Sequence, residues 1–257
     1  MELGLKGKVA AITGGTEGIG RASARQLARE GAKVAICSRR ADKVQETAQE
    51  LEKLGAEALG VAADIGTSEG VEQFLGAVIK RFGRIDILVN NAGTSMSNPF
   101  DKVTDATWQE DFDLKLFGAI RGVRLAIPQM KKQGGGRIIN ITTVGGKQPG
   151  ANSVPTTVTR AAGLALTKAL SKELAPHNIL VNTVCIGKIK SGQHERRIQR
   201  EGISADDYYT RVGKTIPMQR MGEAEEVANV IAFLASDAAS YVTGTSVNLD
   251  GGMSGVL

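Results

Sequence analysis

The sequence predicts one α/β domain built on a doubly wound, parallel, seven-stranded sheet with helices on both faces, and three observations predict it. Short runs of Val, Ile and Ala recur along the chain, and most are followed by a longer stretch in which apolar residues return every three or four positions. That alternation is what a parallel sheet with crossover helices requires. The short runs are continuously apolar instead of alternating, as strands buried on both faces must be. Glycine is abundant (32) and proline scarce (6), with no period-three spacing, which fits many tight strand-to-helix turns and not a collagen-like or disordered chain.

The elements follow in order. Residues 8–12 (KVAAI) form the first strand and enter a glycine-rich turn before a helix at 21–30. Residues 33–37 (KVAIC) form the second, followed by a helix at 41–54; residues 58–62 form the third, followed by a helix at 69–82. The fourth strand is 85–89, and the segment 108–132 reads as one long amphipathic stretch. Strands at 137–141 and 180–184 flank a helix at 160–174, and a helix at 223–234 precedes the last strand, 246–249. The longest stretch without a strand is 188–243. It begins with the polar run KIKSGQHERRIQREG and carries Tyr208 and Tyr209. We read residues 188–215 as an insertion that leaves the C-terminal edge of the sheet and covers a site. With 257 residues, 42% of them hydrophobic, and no internal repeat or linker, the whole span 1–257 is expected to form a single domain.

Composition narrows the function classes. The net charge of +5 is small for this length and its cations are interspersed with acids, a solvated surface and not a nucleic-acid stripe. No apolar run reaches the roughly 18 residues of a membrane span, and the first residues lack the layout of a signal peptide. Cys37 and Cys185 lie far apart, each in an apolar run, and read as buried reduced thiols. A cytoplasmic location is expected, with a small-molecule substrate, no nucleic acid and no membrane.

The turn Thr13-Gly14-Gly15-Thr16-Glu17-Gly18-Ile19-Gly20 lies between the first strand and the first helix. Glycine lets the backbone turn tightly and approach a pyrophosphate, while the amides and dipole of the following helix attract it, so Gly14, Thr16, Gly18, Ile19 and Gly20 are candidate contacts for a dinucleotide. About 20 residues beyond the turn, an acid would accept the ribose 2′-hydroxyl of NAD; this chain has Ser38 followed by Arg39 and Arg40. A hydroxyl and a guanidinium suit a 2′-phosphate, so NADP(H) is favoured over NAD(H). Glu17 opposes this by placing a negative charge near the same phosphate.

These signals, with Asp64-Ile65, Asn90-Asn91-Ala92-Gly93, Val181-Asn182, Tyr241-Val242-Thr243-Gly244 and Asp250-Gly251-Gly252, resemble the short-chain dehydrogenase/reductases, and among them the 3-oxoacyl-carrier-protein reductase group, over about residues 5–252. The resemblance implies a Rossmann-type fold. It also implies that Asp64 and Ile65 flank an adenine, that Asn91, Ala92 and Gly93 line the ribose path, and that the segment from Gly187 through Ile189 to Ser191 reaches the nicotinamide half. The family's reductive chemistry uses Asn, Ser, Tyr and Lys; at the matching positions this chain has Lys115, Thr143, Thr156 and Arg160. Thr143 keeps a hydroxyl for a substrate carbonyl, with an added methyl and a stiffer χ1. Arg160 keeps the charge and can still hold the nicotinamide ribose, but its pKa is too high for proton relay. Thr156 is the serious loss, since an aliphatic hydroxyl is no substitute for a phenol in acid–base catalysis worth roughly 10²–10⁴-fold. A further departure is Ile186, where the family usually has Pro before Gly187.

Lys115 is the gain. Beside Arg160, two cations in one partly buried site are expected to lower the lysine's pKa and to create a pocket for an anion. Lys115 then donates a proton to a carbonyl, holds a carboxylate or enolate, forms a Schiff base, or swings out to solvent. His194, Tyr208 and Tyr209 in the insertion are alternative sources of the missing acid. Neither His177 nor His194 stands among Cys, Asp or Glu at ligand spacing, so no metal site is expected. Three readings stay open: an atypical NADP(H)-dependent oxidoreductase acting on an anionic carbonyl or hydroxyl compound, an inactive NADP(H)-binding or partner subunit, and a non-redox enzyme on the same fold. The resemblance implies a homo-oligomer, dimer or tetramer, assembled through the helices at 160–174 and 223–234.

Overall fold

The apolar runs become strands because each is buried on both sides: β1 (Val9–Thr13), β2 (Lys33–Ser38), β3 (Ala58–Ala62), β4 (Ile87–Asn90), β5 (Gly136–Thr143), β6 (Ile179–Ile186) and β7 (Ser246–Leu249). The structure is a computed structural model and describes residues 2–257. All seven strands pair in parallel in one sheet, in the order β3-β2-β1-β4-β5-β6-β7. The strand order reverses at β1, which pairs with β2 on one side (Ala11 opposite Ala35) and with β4 on the other (Ala11 opposite Leu88). A crevice opens beyond the carboxyl ends of the strands at such a point.

Successive residues of β1 point to opposite faces and feed two cores. Ala10 and Ile12 pack with Ile36 beneath α1 (Gly18–Arg29), α2 (Ala41–Lys53) and α9 (Ala224–Ala235), which contribute Leu27, Leu51 and Ile231. Val9 and Ala11 face the second core with α3 (Ser68–Phe82), α5 (Gly118–Lys132) and the end of α6 (Thr156–Leu174), which contribute Phe74, Met130 and Leu174. Both cysteines are buried and unpaired, as expected. No helix among the described residues is long and apolar enough to cross a membrane.

Three elements depart from the sequence expectation. The stretch expected at 108–132 is α4 (Asp105–Phe112) and α5 joined by a turn of π-helix at Asp113–Phe117. One extra residue in a turn leaves the apolar stripe on both flanking helices intact, so periodicity does not reveal it, although such turns gather at functional sites. Helix α6 starts at Thr156 instead of 160, directly after Pro155, a residue suited to a helix start. The insertion at 188–215 is not an open loop but two helices, α7 (Gly192–Glu201) and α8 (Ala205–Gly213). Gly202 ends α7 with φ 66°, Ser204 caps α8 by accepting from the Asp207 amide at 3.1 Å, and Tyr208, Ile216 and Met221 form a small core of their own.

Candidate active site

A cleft of about 1150 Å³ lies at the carboxyl ends of the strands. Its floor is the turn after β1. Gly14 holds φ +67°, and a Cβ there would lie 3.0 Å from the Ala92 backbone, so only glycine lets this turn pass beneath the tip of β4. The two tips are clamped: Thr13 Oγ1 accepts from the amides of Asn91 and Ala92 at 3.0 Å, and Asn91 Nδ2 donates to the carbonyls of Thr13 (2.9 Å) and Gly14 (3.0 Å). Asn91 therefore holds the loop with its side chain. Helix α1 opens on the cleft with no side-chain cap and no acid in its first turn, which leaves its amide end available to an anion.

Gly14, Thr16, Gly18 and Ile19 all line the cleft, but Gly20 does not. A Cβ on Gly20 would lie 2.1 Å from the Gly14 carbonyl oxygen, so this glycine serves close packing of α1 on the turn, a correction to its expected place among the dinucleotide contacts. Glu17 does not face the cleft as a free charge: Arg40 binds its carboxylate and Arg196 stands 3.7 Å away. Arg40 is thus tied to Glu17, and Arg39 is the exposed guanidinium left at the rim beside Ser38, whose Oγ is buried without a partner. Asp64 and Ile65 after β3, Ala92 and Gly93 after β4, and Gly187, Ile189 and Ser191 after β6 also line the cleft.

At the other end Thr143 closes β5 and Thr156 opens α6; both line the cleft. Thr156 Oγ1 accepts from the Met96 amide at 2.9 Å and from Lys115 Nζ at 3.0 Å. Lys115 comes from the π turn with its side chain wholly buried. Its ammonium also binds Asp111, itself fully buried, whose other carboxylate oxygen accepts from Thr159 Oγ1 at 2.5 Å. Burial and the nearby Arg160 bring the Lys115 pKa down to about 8, opposed by Asp111. Arg160 donates to the Ile141 carbonyl at 2.7 Å and lies so close to Gly93 that a Cβ there would sit 2.6 Å from its Nη2. Burial lowers the Arg160 pKa, with Asp111 opposing.

The expected pocket between two uncompensated cations is therefore absent, because Asp111 neutralises Lys115. Nor does Lys115 line the cleft or swing to solvent; it sits behind Thr156, against an internal cavity of about 10 Å³. Asp111 and Thr159 were missed by sequence reasoning. The signal available was the spacing of Asp111 and Lys115, four apart on one helical stretch, which a charged run such as Gln-Glu-Asp hides as ordinary solvated surface.

Helices α7 and α8 carry the remaining candidates. His194 lines the cleft, and its Nδ1 is 2.8 Å from Tyr208 Oη. Burial, Arg197 and Lys188 lower its pKa to about 4, so its ring is neutral at physiological pH. Tyr208 and Tyr209 do not reach the cleft: Tyr208 is buried in the small core it forms with Ile216 and Met221, and Tyr209 packs edge-on against it. Lys188, Arg196 and Arg197 bring positive charge to the cleft from this side. A glycine turn that a Cβ would fill, an uncapped helix end, a buried unpartnered serine hydroxyl and an arginine at the rim together fit a dinucleotide bearing an extra phosphate.

Known proteins match along nearly the whole chain. Residues 14–254 match the family model described as enoyl-(acyl carrier protein) reductase. The chain is 36% identical over 254 residues to 3-oxoacyl-(acyl-carrier-protein) reductase of Aquifex aeolicus, covering 98% of this chain and 100% of that one. Among solved structures it is similar to L-sorbose reductase of Gluconobacter frateurii complexed with NADPH and L-sorbose, with a TM-score of 0.95 and 36% identity over 100% of both chains. It is also similar to an NADPH-bound short-chain oxidoreductase of Pseudomonas aeruginosa PAO1 that contains an atypical catalytic center, with a TM-score of 0.92 and 32% identity over 97% of this chain and 98% of that one.

Proposed function

The chain belongs to the short-chain dehydrogenase/reductase family, in its 3-oxoacyl-carrier-protein reductase-like part, and from that premise we propose that it is an NADPH-dependent reductase of a carbonyl compound carrying a negative group. The observation that carries this reading is the pair of threonine hydroxyls, Thr143 and Thr156, set in the wall of a cleft whose floor fits a dinucleotide phosphate.

The coenzyme supplies a hydride; the chain's own residues bind and orient. The turn Gly14–Ile19 and the amide end of α1 hold the pyrophosphate, and Ser38 with Arg39 holds the 2′-phosphate, which selects NADP(H) over NAD(H). Asp64 and Ile65 take the adenine, Asn91, Ala92 and Gly93 the ribose path, Arg160 the nicotinamide ribose, and Gly187, Ile189 and Ser191 the nicotinamide half. Thr143 and Thr156 hold the carbonyl oxygen. Lys188 and Arg197, both exposed on the cleft, attract the anionic group that the sequence led us to assign to Lys115 and Arg160. The helices α7 and α8 act as the substrate cover. The protein works in the cytoplasm as a homo-oligomer, with the partly exposed Val158 on α6 and Phe233 on α9 on the assembling faces.

The test is NADPH oxidation in the presence of acetoacetyl-coenzyme A, an anionic 3-oxoacyl thioester, and of L-sorbose, a neutral ketose. Turnover of the thioester is expected and Thr143→Val lowers it; oxidation of NADPH by neither compound sinks the proposal. A second reading, a coenzyme-binding partner subunit without turnover, is favoured by one observation: no phenol lines the cleft among the described residues.

A further inference from the structure

We propose that Thr156 hands the proton to the carbonyl oxygen as it is reduced and recovers one from Lys115 behind it, with Asp111 holding Lys115 in place; this rests on the functional reading above. A hydroxyl has one proton and two lone pairs. Both acceptor sites of Thr156 Oγ1 are occupied from inside the protein, by the Met96 amide at 2.9 Å and by Lys115 Nζ at 3.0 Å. The Thr156 proton has no acceptor among the described residues, and the open side of the residue is the cleft. The hydroxyl is therefore fixed as a donor toward substrate.

Lys115 cannot do this directly. Its side chain is wholly buried and lies outside the cleft, which also removes it as a Schiff-base nucleophile or a carboxylate anchor. Its reach to the substrate runs through Thr156. Two charged groups face it, Asp111 from α4 and Arg160 from α6. Asp111 binds both Lys115 and Thr159, one turn along α6 from Thr156, and so locks the π turn to the helix that carries the hydroxyl. Its ammonium gives up a proton near pH 8, more readily than an ordinary lysine.

A bound reduced nicotinamide would supply the hydride to the carbonyl carbon, and the electron pair displaced from the C=O bond would then collect on the carbonyl oxygen. That oxygen takes the Thr156 proton, Thr156 Oγ takes a proton from Lys115 Nζ, and Lys115 is left as a neutral amine. No threonine alkoxide is stranded, which answers the objection that an aliphatic hydroxyl is too weak an acid. After product leaves, Lys115 regains its proton through Thr156, whose hydroxyl passes its proton inward to the amine and takes another from water in the emptied cleft. Thr156 is the catalytic residue; Lys115 and Asp111, which act through it, are positioning residues.

The first test needs no turnover. In ¹⁵N-lysine-labelled protein, the Lys115 ammonium followed by NMR is expected to titrate near pH 8, and Thr156→Val, which removes an acceptor, to lower that midpoint. A midpoint at the ordinary lysine value, or one that Thr156→Val leaves in place, overturns the proposal. The second follows NADPH-dependent reduction of acetoacetyl-coenzyme A. The rate kcat should be level at lower pH and fall above the NMR midpoint, because reduction needs the ammonium form. Thr156→Val should lower kcat by about 100-fold with NADPH affinity retained, and Thr156→Ser should keep it within a few-fold. Asp111→Asn, which removes the charge that favours the ammonium, should move the break to lower pH. A Thr156→Val protein that folds, binds NADPH and keeps the parent kcat overturns the proposal. If the parent protein binds NADPH but reduces neither carbonyl probe, the functional reading fails, and the lysine titration still decides the hydrogen-bonded chain.

Discussion

At the residue scale, the site turns on where charges are paired and where they are left free. Arg40 is taken up by Glu17, whereas Arg39 stands at the rim. Replacing Arg39 by Ala removes charge-assisted bonds worth about 1.5–3 kcal/mol, so NADPH affinity should fall by about 10- to 100-fold and NADH affinity should hardly change, as a fluorescence titration of both nucleotides would read. Cys37, pushed up to about 12 by burial, should resist alkylation by iodoacetamide at pH 8 in the folded protein and react only on unfolding. Most of the candidate residues read from the sequence line the cleft, because they sit at fixed offsets from strand ends. Asp111 was not legible in the sequence: its spacing of four from Lys115 is the only local trace, and that the pair is buried is a fact of packing between α4 and α6.

At the element scale, the glycine turn and the cover make separate predictions. Gly20→Ala would place a Cβ against the Gly14 carbonyl, forcing α1 off the turn. An overpacking cost of about 1–3 kcal/mol is expected, visible as a lower denaturant midpoint, with weaker dinucleotide binding because the turn moves too. In helix α7, burial and the nearby Arg197 and Lys188 hold the His194 pKa down at about 4, against about 6.5 for an imidazole in the unfolded chain. As pH falls below 6.5 the unfolded form takes the proton first, so the stability this group supports is full above that pH and is lost toward pH 4. The protection factors of the amides over residues 192–213, with the intrinsic rate at each pH divided out, should accordingly fall between pH 7 and 5, and His194→Gln should flatten that dependence. The strands were readable to within a few residues because burial on both faces writes itself as an apolar run. Helices α7 and α8 were hidden by their charge, since α7 buries none of its residues and the pair shows only the glycine that ends α7, Gly202, and the serine that caps α8, Ser204. The π turn left no mark in the periodicity, yet it is what carries Lys115 inward.

At the scale of the whole molecule, the parallel sheet brings the ends of all seven strands to one edge, so that the segment after each contributes to a single cleft. The groups proposed to hold the phosphates gather near β1 and β2, and the threonine hydroxyls stand at β5 and α6. The fold and the coenzyme end of the site were therefore written in short motifs, while the chemistry at the other end depends on side chains that meet only when α4, α6 and β5 pack. The proposed NADPH-dependent reduction is tested most directly by a titration of the purified protein with NADPH and with NADH, following nicotinamide fluorescence. Low-micromolar binding of NADPH, with NADH weaker by about tenfold or more, is the predicted result. Binding of neither nucleotide would mean that the glycine turn is scaffold only and would contradict the assignment of the protein as a reductase.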